Sequence, residues 1–411
     1  MSDSDDDSVV KLNPRVQSEY NEWKKKCPFF YDFIISHPLP RTSLTVHWST
    51  MTPLTHSQVP SLALHRLLFN TYYPRARTSY LTIANAALPA IDHGPIPTLP
   101  KVEITHNIAL DSRLAMARFM PQNPHIVCAR TQSTDVYVFD CTKPHKNDQL
   151  DPDLTLTSFD ENVIGHGGAG LAWHQRKEGY ILSSNGHSIA YWDVSAVAQR
   201  SKVLDPIHVF DYFKDTGNLI QEVQWNCKNE NVFGSVDKND DLVIWDLRTD
   251  KSQHSAKAQD VDCLSFNPFN EWFLAIASVD ATVGLFDMRK LTEKLFTLAG
   301  HRQRVYKVEW NPNLESVLAS SSYESYERRV IIWDINRIGD ETLKGDSKAK
   351  AKRPPELLFY HEGHKDEMTD FSWNHHEPWV ISSVAKDHTL QLWKLAQSIV
   401  RHEHGGHAIG D

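Results

Sequence analysis

The chain has 411 residues, a formal net charge of -9 at pH 7, 40% hydrophobic residues and five cysteines. No apolar run approaches the ~20 residues of a membrane span, the acidic start Asp3 to Asp7 lacks the basic-then-apolar pattern of a signal peptide, and the cysteines form no CxxC pair. These features argue against a membrane protein, a disulfide scaffold and a nonspecific duplex binder, and they predict a soluble intracellular chain in a reduced compartment that can accept a basic partner.

In chain order, residues 1–13 form an acidic segment expected to be disordered. Within 14–36, Val16, Tyr20 and Trp23 fall three or four apart, which predicts an amphipathic helix over Arg15 to Lys26, ended by Pro28. The run Phe29 to Ile35 is too apolar to be left in water and reads as an anchor on the side of the next domain. Residues 44 to 89 hold three strand-like runs, Leu44 to Trp48, Leu64 to Tyr73 and Tyr80 to Leu88. From there an aromatic-Asp pair returns at the end of β-like runs: Phe139-Asp140, Trp192-Asp193, Trp245-Asp246, Phe286-Asp287 and Trp333-Asp334, fading to Trp393-Lys394. The spacings of 53, 53, 41, 47 and 60 residues fit four-stranded blades of roughly 40 to 45 residues with loop insertions. A second landmark, an aromatic followed in most cases by Asn, precedes each pair at Trp173, Trp225-Asn226, Phe266-Asn267, Trp310-Asn311 and Trp373-Asn374.

With 44 to 89 as a degenerate first blade, the reading is an all-β, seven-bladed WD40 β-propeller over 37–395, with an N-terminal α-helix and a short C-terminal helix on its side. A ring of blades closes without a seam when a strand from each chain end pairs, so the termini should meet. Gly300-His301 and Gly363-His364 open two units, and His364, Ser382, Asp387 and Trp393 follow the order of a buried hydrogen-bond chain rather than that of a catalytic triad. A basic insertion occupies 340–355, and 396–411 reads as the C-terminal helix with a His-rich tail.

The run Glu19 to Lys26, followed by Pro28-Phe29 and Tyr31-Asp32, is similar to the amino-terminal helix of the retinoblastoma-binding histone chaperones, the small subunit of chromatin assembly factor one. Matches continue through Ser43-Leu44-Thr45, Phe119 to Pro124, Asp135 to Asp140, Cys263 to Pro268, Pro354 to Phe359 and Glu377 to Ile381. The resemblance spans nearly the whole chain. It implies a nuclear, non-catalytic scaffold of chromatin assembly, remodelling, deacetylase or Polycomb-type complexes, with core histones as partners and no cofactor or small-molecule substrate.

The resemblance also implies two surfaces. One is a side groove for the first helix of histone four, formed here by Phe29, Phe30, Ile34, Pro354, Pro355, Glu356, Phe359, Ile399 and Val400. The family's acidic loop before the two prolines is basic here, with Lys344, Lys348, Lys350, Lys352 and Arg353 against Asp346, so weaker histone binding is expected. The other is a top face for a basic tail, which departs further: Arg41, Arg113, Ala169, Gln221, Arg304 and Tyr306 stand at positions where the family carries other residues, most of them acidic or aromatic. Three arginines on one rim imply a site that has lost or changed its ligand, toward an acidic peptide or nucleic-acid phosphate.

Three further motifs carry less. Gly165 to Gly170 leads into a strand and is followed by no GK[ST], so it reads as a turn. The tail His402 to His407 reads as a solvated end rather than a metal site. Asp246 with Arg248, and Asp287 with Arg289, match the box by which propellers dock on a cullin-ligase adaptor, which makes substrate receptor of a ubiquitin ligase the alternative function.

Overall fold

The computed structural model describes residues 13–76, 78–89, 101–132, 135–144, 149–157, 170–196, 201–211, 219–237, 241–249, 251–257, 261–322, 324, 327–340 and 353–400. These residues form seven sheets of four or five strands, arranged as a closed propeller. Strands consecutive in the chain pair antiparallel, as in blade 5, where Val261–Phe266, Phe273–Ser278, Thr282–Asp287 and Lys294–Ala299 follow one another from an inner to an outer strand. The aromatic-Asp pairs end the third strand of blades 2 to 6. The upstream aromatics end the first strand of blades 3 to 7.

Seven hydrophobic clusters lie between neighbouring blades, such as Leu264 and Phe266 of blade 5 with Val232 and Ile244 of blade 4. The aromatic-Asn landmark explains how each blade is fastened to both neighbours. The indole N–H of Trp225 donates to the Ala172 carbonyl of the preceding blade, and Trp310 and Trp373 repeat this onto Ser265 and Glu309, each at 3.1 Å. Asn226 accepts two backbone N–H bonds of its own turn at 2.9 Å and donates forward to the Glu271 carbonyl of the next blade at 2.9 Å. Asn267 and Asn311 repeat the forward bond onto Glu315 and Pro378. Shaping a turn is therefore half of the Asn role; its side-chain amide also spans the blade gap.

Three expectations change. The N-terminal helix, α1, runs from Pro14 to Phe30 and passes through Pro28. Pro28 sits three residues from the end, so its missing N–H costs only one late bond, while the Tyr31 N–H still reaches the Cys27 carbonyl. Second, Tyr31–Pro38 is a strand of blade 7 rather than an anchor outside the propeller, pairing with Thr389–Leu395 from Tyr31↔Leu395 to Pro38↔Thr389. Its period of two is readable: Tyr31, Phe33 and Ile35 are buried and Asp32 and Ser36 exposed. The propeller thus begins at residue 31, not 37, and closes by pairing strands from both ends of the chain. Third, blade 1 extends past residue 89, with Val102–Leu110 as its fourth strand.

The hydrogen-bond chain of blade 7 uses Ser383, not Ser382. His364 Nε2 lies 2.9 Å from Ser383 Oγ, which also accepts the Trp393 indole N–H, while Ser382 faces the other way and donates to the Ser372 carbonyl. A slip of one residue in a strand reverses the face. Burial pushes the Asp387 carboxyl up, but His364 and bonds from Thr389 and the Lys365 N–H overcome it and hold it down at about 2. Blade 6 builds the same chain from His301, Ser320 and Trp333, with Glu327 in the acid's place. Among the described residues no helix is long and apolar enough to cross a membrane.

Candidate functional site

The side groove begins with the anchoring of α1. Its N-cap, Asn13, accepts the Arg15 N–H at 3.0 Å, and Trp23, its one buried residue, enters the core between blades 6 and 7. The Trp23 indole N–H donates to the Tyr31 hydroxyl at 3.1 Å, which lies 2.8 Å from His361 Nδ1. His361 stacks on Trp393 at 4.2 Å. Burial pushes the Tyr31 hydroxyl well up and His361 well down, so both stay neutral and the chain of bonds carries no buried charge. A Cβ on Gly363 would come within 2.7 Å of the Trp23 ring, so only glycine admits this docking. Toward the top rim, Arg328 donates to Glu19 at 2.7 Å and Lys365 Nζ lies 4.6 Å from the Tyr20 ring.

On this base the predicted groove residues converge. Phe30 meets the edge of Phe359 at 5.8 Å, and Phe30, Ile34, Ile399 and Val400 pack half-buried on the cluster that holds Phe359. The C-terminal helix, α2, spans Gln397–Val400; the Ala396 N–H just before it donates to the Phe30 carbonyl at 3.0 Å, and the Gln397 N–H to Asp32 Oδ1 at 3.3 Å. Phe29 stands clear of the floor at 74% exposure, an unusual position for a phenylalanine. Pro354 and Pro355 are not buried in the core and turn the chain into Leu357–His361 of blade 6. Glu356, between Pro355 and that strand, is 6% exposed. Arg353 lies over the Tyr360 ring at 4.7 Å, and Arg329 lies over the same ring at 4.9 Å. The cluster Lys344 to Lys352 lies outside the described residues, as do the acidic start and the His-rich tail.

Arg41, Arg113, Arg304 and Tyr306 stand on connections from the last strand of one blade to the first of the next, which open on one end of the ring. Arg41 lies over Tyr73 at 5.9 Å and Arg113 over Tyr72 at 5.6 Å. Arg304 does not add free positive charge: its fork closes on both carboxylate oxygens of Asp262. Tyr306 donates its hydroxyl to the Thr369 carbonyl of blade 7, Gln221 is half-buried in blade 4's first strand, and Ala169 lies outside the described residues, with Gly165 to Gly168. Arg248 and Arg289 turn their forks onto their own Asp246 and Asp287, with Nη2 to Oδ2 at 2.5 Å in each. Each bond holds its carboxyl below the usual range.

One charged group escapes sequence reasoning. Lys307 of blade 6 reaches Asp370 of blade 7 at 2.5 Å and Glu309 at 3.3 Å, and Asp370 accepts the Val46 N–H of blade 1 at 2.9 Å. Arg118 of blade 2 approaches Asp370 at 4.0 Å. Burial works against the Lys307 charge, but Asp370 and Glu309 raise its pKa by more, so the lysine stays protonated, and Asp370 is the point where four blades meet. No local pattern marks residues that meet across 324 positions of chain. All five cysteines are free thiols, and among the described residues no three His, Cys, Asp or Glu side chains are placed to hold a metal.

Residues 18–90, which hold most of α1, the closing strand and most of blade 1, match a protein-family model described as histone-binding protein RBBP4 or a CAF1 complex subunit. Residues 292–334 and 355–394 match the WD domain, G-beta repeat. The WD-40 repeat-containing protein MSI3 of Arabidopsis thaliana is 46% identical over 403 residues, 95% of this chain and 92% of that protein. The fold, the matched N-terminal segment and this extent of identity place the chain in the histone-binding WD-repeat family of RBBP4.

Proposed function

We propose that this protein is a nuclear, non-catalytic scaffold that holds the first helix of histone four in the side groove and presents it to other members of chromatin assembly, remodelling, deacetylase or Polycomb-type complexes. The observation that carries the reading is the convergence of exposed Phe29 with half-buried Phe30, Ile34, Ile399 and Val400 around Phe359. Such a strip fits the apolar side of an amphipathic helix. Each large side chain that a guest buries there contributes about 1.5 to 3 kcal/mol, which outweighs repulsion from a solvated basic rim.

Full-length protein and its Phe29→Ala, Ile399→Ala double variant, passed over immobilised histone-four first-helix peptide, test this. Retention of the parent and loss of the variant is the expected result. Equal retention of both would remove the groove as the site.

A further inference from the structure

On the end of the ring opposite the top face, each blade turns from its first strand into its second, and blades 4 to 7 open this turn with the same residue, Asn226, Asn267, Asn311 and Asn374. Two positions on, the repeat carries Lys228, Asn313 and His376, but blade 5 carries Phe269. Phe269 is 42% exposed, and its exposure is built in: the Asn267 side chain accepts its N–H at 2.8 Å and that of Asn270 at 2.9 Å. Four positions on from the asparagine stand Glu230, Glu271 and Glu315. Glu230 lies 3.6 Å from Lys177, whereas among the described residues neither Glu271 nor Glu315 forms an ion pair. Their backbones are fixed, since the Asn226 and Asn267 amides donate across the blade gaps to the Glu271 and Glu315 carbonyls at 2.9 Å each. A pocket of about 680 Å³ opens here, bounded by Phe269, Glu271 and Trp272 of blade 5, Glu315 and Ile335 of blade 6 and Lys228 of blade 4. That volume falls within the roughly 300 to 1,000 Å³ of ligand-binding clefts. Arg289 lies over the Trp272 ring at 4.9 Å with its fork closed on Asp287, so it brings no free charge.

We propose that this pocket is a docking site for a basic peptide segment in which an arginine or lysine stands next to a large apolar residue. The cation meets Glu271 and Glu315, and its apolar neighbour packs on Phe269 and Ile335. Two carboxylates against the single cation Lys228 leave the walls acidic, and carboxylates that no neighbour neutralises attract a guest cation without first giving up a partner. A wholly apolar guest fits less well, because it would desolvate both carboxylates without pairing them. Nucleic acid fits less well too, because its phosphates meet the same two acids. The fold does not require these side chains: the same turn forms in blades 4, 6 and 7 with Lys228, Asn313 or His376 where blade 5 has Phe269. A large apolar group and two unpaired acids around one cleft are therefore features of a surface rather than of the core. The pocket shares no residue with the side groove, so its occupant is a further contact of the scaffold.

Fluorescence anisotropy of the full-length protein with a labelled peptide of about ten residues, carrying Arg-Leu pairs spaced by Gly and Ser, tests the site at about 50 mM and about 200 mM salt, where screening lengths differ. Parallel titrations use the same peptide with Glu in place of Arg, and with Ser in place of Leu. The Arg-Leu peptide is expected to bind more tightly than either, to weaken at high salt and to weaken about tenfold in the Glu271→Gln, Glu315→Gln variant. Phe269→Ser should weaken it about fivefold. A Glu103→Gln, Glu178→Gln variant, which removes the same charge from exposed positions elsewhere, should bind like the parent, and so should the groove variant Phe29→Ala, Ile399→Ala. Failure of the Arg-Leu peptide to bind, equal loss in the two charge variants, or loss in the groove variant would each overturn the proposal.

Discussion

The side groove and the pocket beside Phe269 are held in shape by different forces. In the groove, Phe30, Ile34, Ile399 and Val400 rest on a core that includes Trp23, Tyr31 and Phe359, so packing sets its geometry and salt should matter little. At the pocket, the Asn226 and Asn267 amides fix the turns that carry Glu271 and Glu315, so hydrogen bonds set its geometry, charge sets its preference and salt should matter more. An apolar floor supplies affinity for any guest helix of suitable shape, while a charged edge discriminates among partners. A chain that carries both can stay in one class of assembly and recognise a further partner there.

The sharpest way to break the groove side of this comparison is Trp23→Ala. Loss of the buried indole should cost about 3 to 5 kcal/mol of helix docking, seen as hydrogen exchange accelerating across Pro14–Phe30. Unchanged exchange in that segment would mean that the helix is held by something other than the Trp23, Tyr31 and His361 chain. A somewhat smaller loss, about 3 kcal/mol, is expected for Lys307→Met, because Asp370 and Glu309 are left buried without their cation. Adding Asp370→Asn should recover part of it in urea melts, and a double variant as weak as the sum of the single ones would argue against a coupled group.

Next in size is a pH effect. Burial, with the charge of His376 adding to it, holds His65 down at about 4, against 6.5 for the free side chain. Between these values the unfolded chain binds a proton that the folded chain does not. Stability is therefore fully present above 6.5 and falls as pH drops toward 4. The loss from this one group should reach about 2 kcal/mol near pH 5, and His65→Gln should flatten that part of the profile; an unaltered slope in the variant would assign the effect elsewhere.

Phe29→Ala should hardly change stability, by less than about 0.5 kcal/mol, since the side chain is 74% exposed. It should still weaken guest-helix binding. A large fall in melting temperature would show that Phe29 supports the fold rather than the surface.

What can be read from the chain follows the range of the signal. The aromatic-Asp pairs and the aromatic-Asn landmarks are local and periodic, and they locate the strands of blades 2 to 7. Trp23 is legible as part of an apolar helical face, but not its bond to Tyr31, 8 positions on, nor the Tyr31 bond to His361, 330 positions further. Tyr31–Pro38 passes for an anchor because its apolar content is more conspicuous than its alternation. Topology puts the top-face arginines on one rim, yet the Asp262 that neutralises Arg304 sits in the first strand of blade 5, and nothing local announces it.

The most direct measurement is calorimetry of the full-length protein with a histone-four first-helix peptide at about 50 mM and about 200 mM salt, with the Phe29→Ala, Ile399→Ala variant beside it. A groove that binds through its apolar floor predicts binding heat at both salts, little change in affinity between them, and loss of the heat in the variant. Absence of heat at either salt, or binding that the variant keeps, would contradict it.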